Sequence, residues 1–174
     1  MEKISNNYDY YFLLALLNSK LIRNIFNNLR GLRSIDINPL ILREIPVPII
    51  TPDQQNTISS ASMQIIKLSN ELYKKTNVSL ELLNVKYKPK VISTILKFFY
   101  KLGWNELIAE LEKQKVKITL SDQEELQQWF NKKRNELLDL DNQISVLDKE
   151  IDQEVYKLYG LNEDEIEIIE NSNN

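Results

Sequence analysis

The chain has 174 residues and a formal charge of −3 at pH 7, and it contains neither histidine nor cysteine. The absence of cysteine excludes disulfides, thiol nucleophiles and cysteine-based zinc sites, while the absence of histidine removes the commonest metal ligand and general base. Only three glycines are present, which disfavours sandwiches and barrels. The longest apolar run, Tyr10 to Leu17, is too short to span a bilayer, so we expect a cytoplasmic protein without a membrane partner.

The charge is unevenly distributed along the chain. Residues 1–101 contain 14 Lys/Arg and 7 Asp/Glu, whereas residues 102–174 contain 8 and 18. This division predicts two surfaces with different partners. The alternative is that the acidic half is simply a solvated helical face.

The first predicted element is a helix over residues 8–28, with Tyr10, Leu14 and Leu17 among its apolar positions and Gly31 as its stop. Residues 33–38 alternate polar and apolar side chains, which predicts a half-buried strand. Residues 44–49 contain two prolines and are expected to be extended at the margin of a sheet.

A second helix is predicted to begin at Pro52, because Thr51 and Gln54 form a capping box around it. Its apolar residues are spaced alternately by three and four, as in a coiled coil, and it is expected to end near Lys75. These apolar residues are Ile58, Ala61, Ile65, Leu68 and Leu72.

Three shorter helices are predicted over residues 80–85, 91–100 and 105–113. Four aromatic residues cluster over residues 98–104 and are interpreted as a small core rather than a platform for nucleic-acid bases. They are Phe98, Phe99, Tyr100 and Trp104.

A long helix is predicted from a second capping box, Ser121 with Glu124, to Tyr159, with Gly160 as its stop. Its heptad repeat extends over roughly 55–60 Å at 1.5 Å per residue, so its apolar stripe needs a partner. The stripe of residues 58–72 is the expected partner, and a second copy of the chain is the alternative.

A short final helix is predicted behind Asn162 and Glu165, followed by a disordered tail over residues 171–174. Together the elements predict a mainly α fold with a small β component. We expect a long antiparallel helical coil attached to a partial α/β recognition lobe.

Motifs for catalysis are absent from the sequence. The three glycines are isolated, so no phosphate-binding loop exists, and no Asp or Glu has Lys two positions later, as a common nuclease motif requires. Residues 38–41, Asn-Pro-Leu-Ile, lack the second proline and the aromatic of a methyltransferase loop and are interpreted as a turn.

The remaining chemical signal is basic. Four of the five arginines fall within residues 20–43, next to polar side chains. Arginine binds phosphate and guanine edges bidentately, so this segment is a candidate DNA-contact surface, with surface solubility as the alternative. The candidate residues are Lys20, Arg23, Arg30, Arg33, Ser34 and Arg43.

Three segments, residues 11–22, 37–48 and 53–55, resemble the distal part of the target recognition domains of TaqI-like adenine-N6 DNA methyltransferases and type I specificity subunits. Residues 120–125 and 150–166 are similar to the C-terminal tail of type IIG restriction–modification enzymes. The resemblance implies DNA contacts by Arg30, Arg33 and Ser34 through the matching loop.

The resemblance also implies that the chain is a non-catalytic piece of a larger enzyme. Residues 1–50 would complete the recognition domain, 51–120 would supply a scaffold helix and a small helical subdomain, and 121–174 the long helix and the last short one. Double-stranded DNA and an upstream methyltransferase domain would be its partners, and that domain, not this chain, would hold S-adenosylmethionine. The alternative is a stand-alone helical protein that oligomerises, with a homodimer formed through the long helix.

Overall fold

The computed structural model describes residues 8–30, 43 and 45–172, with the backbone alone for Leu29 and Arg30. These residues contain no strand, so the mainly α class is confirmed. The predicted strand over 33–38, the turn at 38–41 and the stop at Gly31 lie outside the described residues. The helices are α1 (Tyr10–Asn18), α2 (Lys20–Arg30), α3 (Pro52–Tyr87), a 3-10 helix (Leu96–Lys101), α4 (Trp104–Lys113), α5 (Leu120–Tyr159) and α6 (Glu163–Ser172).

The chain divides into two compact units. Unit 1 combines residues 1–66 with 146–174, and unit 2 is the continuous segment 67–145. The long helices α3 and α5 each contribute residues to both units.

Unit 1 is built around one apolar core. It buries side chains of α1 and α2 against the first turns of α3, the last turns of α5 and one residue of α6. Burial of these side chains stabilises the unit, since each contributes about 1.5–3 kcal/mol when fully removed from water. The most buried members are Phe12, Leu16, Ile22, Ile58, Val155 and Tyr156.

The single helix predicted over residues 8–28 is wrong, because the structure has two helices separated at Ser19. Ser19 has extended backbone angles, φ −63° and ψ 154°, and is 2 % exposed. Its hydroxyl donates to the Leu16 carbonyl at 2.7 Å and accepts from the Ile22 N–H at 3.4 Å. Ser19 therefore ends α1 and caps α2, which is the usual role of serine at a helix start.

The prediction of a sheet margin over residues 44–49 is also wrong for its described part. Residues 45–50 are irregular, with Ile45 buried in the core of unit 1. Prolines 46 and 48 have no N–H to donate to a ladder, and their carbonyls accept hydrogen bonds from the hydroxyls of Tyr159 and Tyr8. Side-chain hydroxyls, and not a neighbouring strand, therefore supply the hydrogen bonds to these backbone carbonyls.

The start of α3 is as predicted. The Thr51 N–H donates to Gln54 Oε1 at 2.9 Å, and the Gln54 N–H donates to Thr51 Oγ1 at 3.3 Å. The predicted end near Lys75 is wrong, since α3 continues to Tyr87 and includes the helix predicted over 80–85. No glycine or proline interrupts residues 76–87, and Leu80 and Leu83 are buried. The helix ends before Pro89, with Lys88 in the left-handed region at φ 47°.

The core of unit 2 contains the predicted aromatic cluster, except that Phe98 is half exposed. The ring of Phe99 stacks on Trp129 with centroids 5.6 Å apart, and Trp104 lies 5.9 Å from Phe130. The helix predicted over 91–100 is wrong: only the 3-10 helix over 96–101 forms there, with a kink at Phe98. The third short helix is confirmed as α4.

The start of α5 differs from the predicted capping box. Thr119 and Asp122 cap the helix, with Thr119 Oγ1 donating to Asp122 Oδ2 at 2.6 Å, instead of Ser121 and Glu124. The end at Tyr159 is as predicted, and Gly160 adopts φ 65°.

The predicted cap of α6 is also confirmed. Asn162 Oδ1 accepts from the Glu165 N–H at 3.0 Å, and Glu165 Oε2 accepts from the Asn162 N–H at 2.9 Å. The disordered tail is wrong for residues 171 and 172, which are helical.

Within unit 2, α3 and α5 run antiparallel. Lys75 pairs with Glu136 at 2.7 Å, and Lys86 pairs with Glu125 at 2.6 Å. The residue number of the partner on α5 therefore falls as the residue number along α3 rises. Next to these pairs, apolar side chains of both helices belong to one buried core, Leu80 and Leu83 from α3 with Leu126, Phe130 and Leu137 from α5. In this unit the long helix therefore packs against α3 of the same chain, but mainly through Leu80 and Leu83, which lie beyond the predicted stripe of residues 58–72.

Candidate nucleic-acid interface

Helix α2 presents two different faces. Leu21, Ile22 and Phe26 are buried in the core of unit 1, whereas Arg23 and Asn27 are exposed. This separation gives α2 a polar side that carries a guanidinium and carboxamide groups, and such groups bind phosphates and base edges. The polar side of α2 is therefore the described part of the candidate interface.

The position of α2 depends on a residue far away in sequence. Asp152 of α5 accepts a hydrogen bond from the Lys20 N–H at 2.8 Å, across 132 residues. Its side chain is buried, at 5 % residue exposure, and burial raises the pKa of Asp152 despite the opposing effect of this hydrogen bond. The carboxylate satisfies an N–H that has no acceptor within its own helix.

Lys20, a predicted DNA-contact residue, is already engaged. Its ammonium forms an ion pair with Glu170 of α6, and the Tyr156 hydroxyl donates to the same carboxylate at 2.9 Å. The hydrogen bond from Lys20 holds the pKa of Glu170 below its usual range, and burial raises the pKa of Tyr156. Lys20 is thus held inside unit 1 rather than pointing freely into solvent.

Arg23 is an exposed cation of α2. One guanidinium nitrogen donates to the Asn18 carbonyl at 3.1 Å, which fixes the side chain over the α1–α2 junction. Burial raises the pKa of Asp148, and the positive charge of Arg23 partly offsets this effect. Arg23 therefore lies near a carboxylate but remains accessible.

A cleft of about 430 Å³ opens beside this junction within unit 1. Its apolar wall includes Ile65 and Ile151, and its polar wall includes Arg23, Asp148 and Asp152. The volume is in the range of small-ligand pockets, but the two carboxylates make it unsuited to the DNA backbone.

The other predicted site residues are only partly placed. Arg43 is exposed, Arg30 is the last residue of α2, and Arg33 and Ser34 lie outside the described residues. The structure thus brings Lys20 and Arg23 together on α2. That the other four predicted residues lie on the same surface stays a prediction.

Sequence reasoning missed the acidic partners of α2. Asp152 and Glu170 each stand one residue after a buried isoleucine, Ile151 and Ile169, in an amphipathic helix. That position is at the border of the apolar stripe, a signal that could have separated them from the solvated carboxylates.

The described residues contain neither a metal-binding cluster nor a membrane-spanning helix. No group of three or more His, Cys, Asp or Glu residues among them could hold a metal ion. Over the same residues, no helix is long and apolar enough to cross a membrane.

Comparison with known families finds one match. Residues 51–155 match the family model described as "Domain of unknown function (DUF8810)". No curated protein and no solved structure matches the chain significantly. The matched range covers α3, α4 and most of α5, and it excludes α1, α2 and α6.

Proposed function

The chain belongs to the DUF8810 family, and we propose that it is a non-catalytic specificity and scaffold region of a restriction–modification DNA (adenine-N6) methyltransferase. In this proposal α2 and the segment that follows it contact double-stranded DNA. Helices α3 and α5 form a spacer, a long antiparallel coil attached to a partial α/β recognition lobe that includes residues 33–38. Methyl transfer, with its S-adenosylmethionine, belongs to an upstream domain of the same enzyme, in the cytoplasm.

The observation that carries the proposal is the internal pairing of α3 and α5. Within unit 2 the apolar stripe of α5 is buried by the same chain, since Phe130 and Leu137, at 1 % and 0 % exposure, belong to a core shared with α3, the 3-10 helix and α4. A heptad stripe that is buried internally does not need a second chain. This supports a spacer over a homodimeric coil.

The charge of α2 supports the DNA part of the proposal. Arg23 is exposed on the polar side of α2, beside Asn27, and Arg43 is exposed as well. Guanidinium groups make bidentate contacts with phosphates, and such contacts account for most of the affinity of a protein for nonspecific DNA.

The test is the salt dependence of DNA binding. The chain is titrated into a fluorescent mixed-sequence duplex at several salt concentrations, and the variant Arg23→Gln/Arg30→Gln/Arg33→Gln/Arg43→Gln is compared with the wild type. The slope of log K against log salt should flatten by about 0.9 for each lost phosphate contact. Lys132→Gln, which removes one exposed charge from α5 in unit 2, is the control and should leave the slope unchanged. An unchanged slope in the fourfold variant contradicts the proposal.

A second candidate function, helical oligomerisation, is favoured by an exposed apolar stripe. Val78, Leu82 and Val85 of α3 are spaced i, i+4, i+7, and each is more than half exposed. Light scattering distinguishes the two functions, since the spacer is expected to be a monomer. A stable dimer that is lost in Leu82→Glu, without DNA affinity in the wild type, would favour oligomerisation.

A further inference from the structure

Helix α6 covers the beginning of α2 within unit 1. Ile169 of α6 is 7 % exposed and Ile166 packs against the same core cluster as Leu21 and Ile22. One turn farther along both helices, Asn24 Nδ2 donates to Ser172 Oγ at 2.7 Å. Apolar burial on one side and a hydrogen bond on the other thus fix α6 against α2.

The polar centre of this contact is the carboxylate of Glu170. It accepts from the Lys20 ammonium and from the hydroxyl of Tyr156, which is 1 % exposed. The side chain of Lys20 is 28 % exposed. Asp152 accepts a hydrogen bond from the Lys20 backbone N–H. The backbone N–H and the side-chain ammonium of Lys20 are therefore both bound by carboxylates of other helices.

From this arrangement we infer that α6 is an acidic clamp that withholds Lys20 from external anions. Glu170 neutralises Lys20, which is predicted from the sequence to contact DNA, and leaves Arg23 as the accessible cation at the start of α2. A phosphate that reached Lys20 would have to displace the Glu170 carboxylate. The DNA part of this inference rests on the proposed function, whereas the clamp itself does not.

The first experiment measures DNA binding by Glu170→Gln. The amide keeps the size of the side chain and an acceptor oxygen for Tyr156 but loses the charge that neutralises Lys20. We expect tighter binding to the mixed-sequence duplex and a salt slope steeper by about 0.9, which corresponds to one added phosphate contact. Lys20→Gln combined with Glu170→Gln should restore the wild-type slope, because the released cation is gone.

The matched control is Glu167→Gln, which removes one negative charge from an exposed position of the same helix. An equal increase in affinity and slope for both variants would show a general charge effect and overturn the inference. A Glu170→Gln slope equal to that of the wild type would overturn it as well, since Lys20 would not have become available.

A second experiment tests the clamp without DNA. Hydrogen exchange of the α2 amides should be faster in Glu170→Gln than in Glu167→Gln. The charge-exchanged pair Lys20→Glu/Glu170→Lys should recover protection. If the wild type does not bind DNA, the proposed function is wrong. Hydrogen exchange of the α2 amides still tests the clamp in that case. Equal exchange in Glu170→Gln and Glu167→Gln refutes the clamp.

Discussion

Two substitutions of Asp152 separate the hydrogen bond of this buried carboxylate from its charge. Asp152→Ala removes the acceptor of the Lys20 N–H, which is 2.8 Å away and lies at the start of α2. A buried N–H left without a partner costs about 1–3 kcal/mol, so the free energy of unfolding of unit 1 should fall by that amount. Asp152→Asn keeps an acceptor oxygen and removes the charge, and its free energy of unfolding at pH 7 should at least equal that of the wild type.

The pH dependence has a defined sign. Because burial raises the pKa of Asp152 in the folded state, the folded protein binds a proton more tightly than the unfolded chain does. The stabilisation from this proton is fully present below the unfolded pKa and is lost as the pH rises through the folded pKa. The advantage of Asp152→Asn over the wild type should therefore shrink as the pH is lowered from 7 towards 4.

The assay is urea unfolding followed by circular dichroism, with hydrogen exchange of α2 as the local measurement. Both tryptophans, Trp104 and Trp129, lie in unit 2, so their fluorescence is an internal control that reports on the other unit. If Asp152→Asn destabilises unit 1 as much as Asp152→Ala does, the charge itself stabilises α2, and the reasoning from burial is refuted.

Three further substitutions test the helices by urea unfolding. Thr51→Ala removes the cap of α3 and should cost about 0.5–2 kcal/mol, with a smaller loss refuting the capping role. Leu137→Ala leaves a cavity in the core of unit 2 and should cost about 2–5 kcal/mol, measured by tryptophan fluorescence. Glu136→Gln should cost up to about 1 kcal/mol at pH 7, since its partner Lys75 is partly exposed. Lys75 lowers the pKa of Glu136, so this loss should disappear as the pH falls through that folded pKa, and a constant difference would refute the ion pair.

The sequence pattern correctly predicted those helix ends whose capping groups lie within a few residues of the end. The cap of α3 at Thr51 and the cap of α6 at Asn162 involve partners three residues away, and Gly160 needs only its own left-handed backbone. The same logic explains the error at the start of α5, where two overlapping capping boxes compete. Thr119 with Asp122 forms instead of Ser121 with Glu124, and the sequence pattern alone does not rank them.

Contacts distant in sequence account for two of the other errors. Ser19 looks like one more polar residue of a continuous helix, but the N–H of the next residue is bound by Asp152, 132 residues farther along. The continuation of α3 beyond Lys75 depends on burial of Leu80 and Leu83 in the core of unit 2. Of the candidate interface, Arg23 is exposed, as a DNA-contact residue must be, whereas the ion pair of Lys20 with Glu170 joins residues 150 positions apart and has no local signal.

The discontinuity of unit 1 determines the order in which the chain can fold as it is synthesised. Unit 2, residues 67–145, is complete before any of residues 146–174 has been made. The buried partners of Phe12 and Ile22 include Val155 and Tyr156, so α1 and α2 expose apolar side chains until the last part of α5 emerges. Closing this core brings together segments separated by the whole of unit 2, and such nonlocal contacts form slowly. We therefore expect unit 1 to fold after unit 2, with its apolar side chains open to aggregation until then.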